Sequence, residues 1–329
     1  MTNIIVVGGG AAGLLAGIAA TELGAQVMIL EKMRTPGRKM LITGKGRCNI
    51  TNNCEIAEII RNLPGNGRFL NSALHRFSND DMIYLLESHG LQTKVERGGR
   101  VFPVTDKAKD VVDTLLNIYR EKGGKLLVDQ TVSKILIEDG CVAGVVTNDG
   151  NKYTADAVII TTGGASYPGT GSDGNGFTLA KACGHTIITL KPSLVPLESD
   201  SEYIKSLQGL SLRNVKASIC CGEKVLASEF GEMLFTHFGF SGPIILSLSK
   251  AVAEAFAAGN KELDLIIDLK PALDVQKLDL RIQRDFANYL RKQLVNGMKD
   301  LLPGRLISVV LDAAFLNPDK PINQVSKEE

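Results

Sequence analysis

A glycine-rich turn between a short apolar strand and an apolar helix constrains this chain more than any other feature. Residues 4–7 are β-branched and predict a strand that is buried on both faces. Gly8, Gly10 and Gly13 follow with the spacing G-x-G-x-x-G. In this motif the first glycine makes the tight turn, the second lets the backbone approach a pyrophosphate, and the third lets the helix pack against the sheet. The pattern predicts an α/β domain that binds a dinucleotide.

The residues around this turn complete the motif. Residues 14–23 predict an apolar helix after the glycines, and its N-terminus presents unpaired N–H groups and a positive dipole to phosphates. Residues 26–30 predict a second strand, and Glu31 ends it 23 residues after Gly8. The Glu31 carboxylate can accept hydrogen bonds from a ribose 2′-OH and would repel a 2′-phosphate. A strand, a turn, a helix and a closing acid together make the prediction specific.

Length and composition limit the classes of protein to consider. A chain of 329 residues suggests two or three domains, and 44% hydrophobic with 22% charged residues is typical of a globular protein. A net charge of +1 predicts no general attraction to nucleic acid or membranes. No apolar run reaches the ~20 residues that span a bilayer. The chain enters its first strand at once, so we expect no signal peptide and a cytoplasmic location.

The six cysteines show no C-x-x-C pair, and Cys220 and Cys221 are adjacent. We therefore expect reduced thiols and no metal site. Cys48 has two interpretations. It is either a redox thiol, favoured as a thiolate by the neighbouring Arg47, or a small side chain that fills space beside a cofactor.

Residues 33–53 form a long polar stretch with little periodicity, which predicts a functional loop. Its basic side chains and glycines suit a pyrophosphate and a redox ring. The alternative is a solvated basic loop. The basic residues are Arg34, Arg38, Lys39, Lys45 and Arg47.

Farther along, residues 55–95 predict helices, one of them capped at residues 79–81. Thr105 or Asp106 can cap a further helix that runs to Lys122. Residues 125–161 alternate with a period of two and predict hairpin strands followed by a buried strand. That last strand ends at Thr162, Gly163 and Gly164, where backbone can approach a ligand.

A second G-x-G-x-x-G lies at residues 169–174. No strand leads directly into it, so we do not expect a second dinucleotide fold there. It can still form a loop that faces a phosphate or a ribityl chain, ahead of a helix over residues 176–183.

Pro192 and Pro196 mark a boundary, beyond which strands, an apolar glycine-broken stretch and helices follow. His237 lies in that stretch and is the best placed of the four histidines for substrate chemistry, although a core role is equally consistent. Ser326 and Glu329 have the spacing of a capping box, which predicts a helix that would begin at the end of this sequence.

Five strings in this chain resemble the BaiN/YhiN-type FAD-dependent oxidoreductases, a family that includes bile-acid enone reductases and aminoacetone oxidases. The strings are GGGAAGLLAG at 8–17, PGRKMLITGKGRCNITN at 36–52, GRVFPVTDKA at 99–108, TTGGASYPGTGSDGNGF at 161–177 and GEMLFTHFGFSGPIILSLS at 231–249. The resemblance covers nearly the whole chain. Family members continue into a C-terminal segment that returns to the flavin, and the resemblance implies that this sequence lacks it.

The resemblance implies a Rossmann-like FAD-binding domain of the glutathione-reductase type at residues 1–190, a β-rich substrate domain at 191–270 and a small helical insertion at 271–329. Together with the motifs above, it gives a set of expected cofactor-binding residues and no catalytic residue. The set is Gly8, Gly10, Ala11, Ala12, Gly13, Glu31, Lys32, Arg38, Lys39, Gly46, Arg47, Cys48, Asn49, Val132, Thr162, Gly163 and Gly164.

The expected function is hydride transfer between FAD and a small organic substrate, with NAD(P)H as a transient reductant and no nucleic acid or membrane as partner. Two alternatives remain open. The first alternative is a non-catalytic or incomplete nucleotide-binding fragment of such a flavoprotein, and the second is an NAD-dependent dehydrogenase. The long loop and the strand end at Thr162 argue against the dehydrogenase.

Overall fold

The computed structural model describes residues 1–63, 65–260 and 262–329, which divide into two compact units, Met1–Ile188 and Thr189–Glu329. No helix among these residues is both long and apolar enough to cross a membrane. The strands of the first unit are β1 (Asn3–Val7), β2 (Gln26–Leu30), β3 (Thr51–Asn52), β4 (Thr93–Glu96), β5 (Arg100–Pro103), β6 (Lys125–Leu127), β7 (Val132–Glu138), β8 (Cys141–Thr147), β9 (Lys152–Thr154) and β10 (Ala157–Ile160). Its helices are α1 (Ala11–Glu22), α2 (Arg38–Ile42), α3 (Ile56–Asn62), α4 (Asn71–Arg76), α5 (Asn79–Ser88), α6 (Ala108–Glu121) and α7 (Asn175–Ala182).

A parallel sheet with strand order β10-β1-β2-β6 forms the centre of the first unit. Val7 pairs with Ile160 on one side and with Leu30 on the other, so the carboxyl ends of three strands meet. The chain runs from β1 outward to β6 and then returns to place β10 on the opposite side of β1. This reversal of strand order creates the crevice where α/β folds bind ligands.

Both faces of the parallel sheet are covered, which explains why β1 and β2 are apolar without alternation. Val6 and Ile29 face α1 and α6, where they share a core with Leu115. Val7 and Leu30 face the opposite side and pack with the sheet β7-β8-β9. The prediction of a doubly buried first strand and of the hairpin strands in residues 125–161 is therefore confirmed.

The region between β2 and β6 differs from the prediction. Residues 33–53 are not one irregular loop, because they contain α2 and β3, and β3 pairs with β5. Residues 93–96 form strand β4 instead of helix. These strands are two to four residues long, too short to show an alternating pattern.

Two helix starts also lie elsewhere than predicted. Ser78 caps α5 in a capping box with Asp81, so the cap precedes the predicted residues 79–81. α6 begins at Ala108, after Lys107 in the cap position, instead of at Thr105 or Asp106.

The second unit is an antiparallel sheet covered by helices. Its strands are β11 (Leu197–Glu198), β12 (Ser211–Cys221), β13 (Lys224–Phe235), β14 (Gly239–Ser241) and β15 (Asp264–Asp268), in the order β11-β14-β13-β12-β15. Its helices are α8 (Ile204–Leu207), α9 (Pro243–Ala257), α10 (Val275–Ala287), α11 (Leu294–Gly297) and α12 (Gly304–Ala313). Ile245 of α9 and Ile307 of α12 belong to the same apolar core as Ile219 of β12. The residues predicted as a separate helical insertion therefore share a core with this sheet.

The spacing of Ser326 and Glu329 produces the expected pair of hydrogen bonds. The Ser326 N–H donates to Glu329 Oε2 at 2.7 Å, and the Glu329 N–H donates to Ser326 Oγ at 3.3 Å. Lys320 also pairs with the Glu329 carboxylate.

Candidate functional site

The glycine turn after β1 has the geometry that its sequence predicts. Gly8 has a φ of 107°, and a Cβ on Gly13 would lie 1.9 Å from the Gly8 carbonyl oxygen. Only glycine fits at these two positions. A Cβ on Gly10 would meet nothing within 4 Å. Gly10 therefore faces open space, where a ligand can approach the backbone.

The N-terminus of α1 opens onto the same space. Gly10 occupies the cap position without a side-chain hydrogen bond, and the first turn holds no acidic residue. The Leu14 N–H donates to the Gly10 carbonyl, which leaves the preceding N–H groups at the start of the helix for another acceptor. This arrangement can bind a phosphate.

Glu31 lies at the end of β2, is 8% exposed, and connects two backbone segments. Its Oε2 accepts a hydrogen bond from the Gly9 N–H at 2.6 Å, and its Oε1 accepts one from the Met33 N–H at 2.8 Å. A carboxylate has about four acceptor positions, so two remain for hydroxyl groups of a ligand.

The end of β10 forms the third wall. Thr161 Oγ1 lies 3.0 Å from the carbonyl oxygens of both Val7 and Gly8, which holds β10 against the glycine turn. Gly163 has a φ of 75°, and a Cβ there would lie 2.5 Å from Ser172 Oγ. The loop that contains the second glycine motif therefore packs directly on this strand end.

A cavity of about 660 Å³ runs along these three strand ends. Most of the expected cofactor-binding residues line it. These are Gly8, Gly10, Ala11, Ala12, Glu31, Lys32, Arg38, Lys39, Cys48, Asn49, Val132, Thr162 and Gly163. Gly13, Gly46, Arg47 and Gly164 are not part of its lining.

Two lysines connect the loop after β2 to the loop after β10. Lys32 Nζ lies 2.8 Å from Asp173 Oδ2, and Lys39 Nζ donates to the Ser166 carbonyl oxygen at 2.9 Å. The hydrogen bond from Lys32 is the first of the causes that lower the pKa of Asp173. Gly171 and Ser172 line the cavity, so the second glycine motif belongs to the site as a loop that covers it.

Arg47 points away from the cavity. Its Nη1 lies 2.8 Å from Glu96 Oε1 and 3.4 Å from Asp106 Oδ1. Its Cζ lies 4.1 Å from the centre of the Phe102 ring. The guanidinium group therefore binds the small sheet β3-β5-β4 and its neighbour Asp106.

Cys48, the next residue, lines the cavity and is 4% exposed. Burial raises the pKa of its thiol, which keeps it protonated at neutral pH. Its φ of 63° is in the left-handed region, at a cost of roughly 1–2 kcal/mol for a side chain with a Cβ. The burial argues against the thiolate that the neighbouring Arg47 suggested, and it is consistent with a residue that fills space beside a ligand.

Part of the cavity lining is apolar and includes one residue from each of α3, α4 and α5. Sequence reasoning did not identify these residues, because an apolar side chain on a helix has the same pattern whether it lines a cavity or a core. They are Met40, Ile50, Ile59, Leu74, Phe77 and Met82.

His237 lies in the second unit, in the turn between β13 and β14, and is exposed. Its ring contacts that of Phe238 edge to face, with the centroids 4.8 Å apart. Among the residues of this unit that the structure describes, none forms a side-chain hydrogen bond or an ion pair with His237 that would mark it as a catalytic group.

The cavity residues fit an FAD. Open space at Gly10 and the uncapped N-terminus of α1 suit the pyrophosphate, and the buried carboxylate of Glu31 suits the ribose hydroxyls. Thr43, Cys48 and Asn49 line the same cavity, whose volume of about 660 Å³ is in the range of cofactor sites.

Comparison with known proteins agrees with this assignment. The model of the HI0933-like protein Rossmann domain matches residues 2–260. A 3-dehydro-bile acid delta(4,6)-reductase of Clostridium scindens is 30% identical over 99% of this chain and 78% of its own length. A ribosomal RNA dihydrouridine synthase of Haemophilus influenzae is 30% identical over 98% of this chain and 77% of its own.

Among solved structures, a quinol fumarate reductase of E. coli matches 88% of this chain and 57% of its own, with 17% identity and a TM-score of 0.48. The family model and the two curated relatives cover most of the chain, and its cavity fits the cofactor. The chain belongs to the HI0933-like Rossmann-domain family and is an FAD-dependent oxidoreductase.

Proposed function

We propose that this protein uses FAD to reduce a carbon–carbon double bond that is conjugated to a carbonyl group. The observation that carries the proposal is that one cavity is lined both by a dinucleotide cradle at Gly10 and Glu31 and by the apolar side chains of Phe77 and Met82. The names of the two relatives fit the same chemistry. A 3-oxo steroid with double bonds at positions 4 and 6 is a conjugated enone, and dihydrouridine is uridine with its conjugated ring double bond reduced.

The proposed roles of the residues follow their positions. The N-terminus of α1 and Gly10 hold the pyrophosphate, Glu31 holds the ribose, and the turn up to Cys48 and Asn49 borders the ring. FAD supplies the redox chemistry, while the protein supplies position and excludes water. The domain roles extend this proposal, with residues 1–190 as the FAD-binding domain, residues 191–270 as a substrate domain and residues 271–329 as a helical insertion.

NAD(P)H is the proposed transient reductant. Only one complete dinucleotide fingerprint occurs, at Gly8 to Gly13, and FAD occupies it. A nicotinamide nucleotide then binds without a Rossmann site of its own, so we expect weak, slow reduction of the flavin.

The proposal is tested by anaerobic reduction of the FAD-loaded protein followed by mixing with a 4-en-3-one steroid or a simple cyclic enone. We expect the flavin absorption band to return at a rate that rises with enone concentration, and a product that has gained two hydrogens by mass. A saturated ketone of the same skeleton is the control. Equal reoxidation by the enone and the ketone would contradict the proposal.

A second candidate substrate of the same chemistry is a pyrimidine base within RNA. The relatives named as ribosomal RNA dihydrouridine synthases raise it, and one surface favours it. No acidic residue lies between Glu58 and Asp80, whereas this segment carries the exposed arginines 61, 68 and 76. The overall charge of +1, from which we expected no nucleic acid, averages over such local segments.

Exposed aromatic side chains accompany these arginines. Phe69 is 79% exposed, and Phe77 is 42% exposed and also lines the cavity. Exposed aromatic rings together with arginines are typical of surfaces that stack and hold unpaired bases.

The two substrates are distinguished by assaying dihydrouridine formation in a ribosomal RNA transcript against reduction of the free enone. If RNA is the substrate, the double variant with Arg68→Ala and Arg76→Ala loses activity on the transcript and keeps that on the enone. Arg120→Ala, at the exposed end of α6, is the control. If no dihydrouridine forms in the transcript, RNA is excluded as the substrate and the small-molecule enone remains.

A further inference from the structure

We infer that Arg47 is a positioning residue: its guanidinium group holds the turn at residues 44–48 in a strained shape, and this keeps Cys48 against the cavity. The inference rests on the proposed function only in taking the cavity as the flavin site. It assigns Arg47 no contact with the cofactor, although Arg47 belongs to the residues expected to bind FAD.

The turn at residues 44–48 is largely left-handed, and it is strained at the two left-handed residues that carry a Cβ. Gly44 and Gly46 have φ values of 57° and 86°, and Lys45 and Cys48, which carry side chains, have values of 60° and 63°. Left-handed residues in such a concentration persist only where the surrounding structure holds them. A functional turn of this kind needs an anchor.

The Arg47 side chain supplies an anchor with four partners. Besides its ion pairs to Glu96 and Asp106, its Nε lies 3.4 Å from the Gly44 carbonyl oxygen, within the same turn. The guanidinium plane lies over Phe102, which is 1% exposed and therefore fixed. One side chain thus joins the beginning of the turn to β4, to β5 and to Asp106.

A glycine contact shows how closely the turn is seated on this anchor. A Cβ on Gly44 would lie 2.9 Å from Phe102 Cε1. The Gly46 carbonyl oxygen also accepts a hydrogen bond from the Ala108 N–H at 2.9 Å. The backbone of the turn is therefore pressed between the Phe102 ring and the start of α6.

The two sides of the turn have different surroundings. Arg47 is absent from the cavity lining, whereas Cys48 and Asn49 belong to it. The Cys48 N–H donates to the Thr43 carbonyl oxygen at 3.1 Å, which closes the turn on the cavity side. Holding Arg47 on the outside fixes the direction in which Cys48 points on the inside.

The partners of Arg47 explain why a lysine would not serve. A guanidinium group is planar and carries several N–H donors, so it can bind two carboxylates and a carbonyl while stacking on a ring. An ammonium group is a single point of charge on a flexible chain. We therefore expect Arg47→Lys to fail like Arg47→Met.

The test uses the full chain without FAD and measures how fast a thiol reagent modifies each cysteine, read by mass spectrometry. Cys48 is 4% exposed, and Cys220, in the second unit, is 3% exposed. If Arg47 anchors the turn, Arg47→Met, Arg47→Lys and Glu96→Gln each raise the modification rate of Cys48 by about tenfold or more through local opening, and leave that of Cys220 unchanged. Lys45→Met, in the same turn and without an ion pair among the described residues, is the matched control.

A second measurement separates positioning from an electrostatic role at the flavin. Arg47→Met removes a positive charge, and Glu96→Gln removes a negative one. Positioning predicts that both variants shift the midpoint potential of bound FAD in the same direction and weaken FAD binding. A direct charge effect predicts shifts in opposite directions, and wild-type behaviour in Arg47→Lys.

The proposal would be overturned if Arg47→Met and Glu96→Gln left the labelling of Cys48 unchanged, or if both raised the labelling of Cys48 and Cys220 equally. Shifts of the midpoint potential in opposite directions in these two variants would also overturn it. The labelling needs neither FAD nor substrate. A negative enone assay would therefore not contradict the role of Arg47, and unchanged labelling of Cys48 would not contradict the proposed reduction of enones.

Discussion

The Oε2 atom of Glu31 lies 2.6 Å from the backbone nitrogen of Gly9, so the last acid of β2 is hydrogen-bonded to the turn that follows β1. The second oxygen accepts from the Met33 N–H at 2.8 Å. The carboxylate that we propose for ribose binding therefore also fixes the glycine turn and the loop after β2. Cofactor binding and local structure depend on the same side chain.

The first prediction concerns Glu31. In Glu31→Gln one oxygen is replaced by a donor that faces another donor, and charge-assisted bonds worth roughly 1.5–3 kcal/mol are lost. We expect FAD affinity to fall by about one to two decades, measured by flavin fluorescence during titration of the apoprotein. Glu138→Gln, an exposed acid on the hairpin β7-β8, is the control. Unchanged affinity would remove Glu31 from the site.

The second prediction compares two glycines of one motif. A Cβ on Gly10 meets nothing within 4 Å, and its φ of −81° suits any residue, so Gly10→Ala should fold. We expect little change in the stability of the apoprotein, because the gain from a more restricted unfolded chain is offset by the poorer helix cap. The same Cβ projects toward the pyrophosphate, so FAD affinity should fall at least about tenfold.

Gly13→Ala should behave in the opposite way. Its Cβ would lie 1.9 Å from the Gly8 carbonyl oxygen, so the helix must move off the sheet and the apoprotein itself should lose stability. Thermal unfolding of both apoproteins, together with FAD titration, checks the pair. Equal losses of stability in the two variants would contradict the assigned roles.

The parts of this structure that the sequence predicted are those where chemistry dictates the residue type. Gly8 and Gly13 must be glycine because a backbone atom occupies the place of the Cβ or the φ is positive. Each of the two side-chain oxygens of Glu31 accepts a hydrogen bond, which an amide side chain with a single oxygen cannot reproduce. The doubly buried strand β1 follows from its uninterrupted β-branched run. The family resemblance added FAD, because the glycine fingerprint alone does not distinguish FAD from NAD.

The parts that the sequence did not predict depend on distant partners. β3 is two residues long and exists because it pairs with β5, about fifty residues later. The direction of Arg47 is set by Glu96 and Phe102, and a basic residue in a loop could equally face a phosphate. The apolar part of the cavity lining, which includes Ile59 and Met82, consists of residues that a helical pattern assigns to a core.

The third prediction concerns the contact between Lys32 and Asp173, which joins two loops over the cavity at 2.8 Å. Asp173→Asn should increase the rate of FAD dissociation a few-fold at low ionic strength. The difference should shrink in about 1 M salt, where charges are screened within about 3 Å. Asp139→Asn, in the exposed turn of the hairpin β7-β8, is the control. A difference that does not depend on salt would contradict the ionic nature of the contact.

This contact should not depend on pH in the neutral range. The hydrogen bond from Lys32 lowers the pKa of Asp173 below its usual range, so the carboxylate stays charged above that range and the contact is lost only as the pH falls through the lowered pKa. We therefore expect the ratio of the FAD dissociation rates of Asp173→Asn and the wild type to be constant between about pH 5 and 8.

The last prediction concerns Tyr119, a fully buried residue of α6 that is hydrogen-bonded to two neighbouring strands of the parallel sheet, β2 and β6. Its hydroxyl lies 2.9 Å from the carbonyl oxygens of Val27 and Lys125, and Gly17 and Gly124 make room for its ring. Tyr119→Phe leaves these carbonyls without their donor, so we expect a loss of about 1–3 kcal/mol of stability at pH 7, measured by urea unfolding.

The same tyrosine should make the stability of the wild type depend on alkaline pH. Burial raises the pKa of Tyr119 to about 12, whereas a tyrosine in the unfolded chain titrates near 10. Above about pH 10 the unfolded chain releases a proton that the folded protein retains, so the free energy of unfolding falls by at most about 1.4 kcal/mol per pH unit up to about pH 12. Tyr119→Phe lacks this contribution, so its stability should decline less steeply over the same range. Tyr84→Phe, at a position that is 74% exposed, should keep the wild-type slope. Parallel declines in the wild type and Tyr119→Phe would show that the buried hydroxyl is not the group responsible.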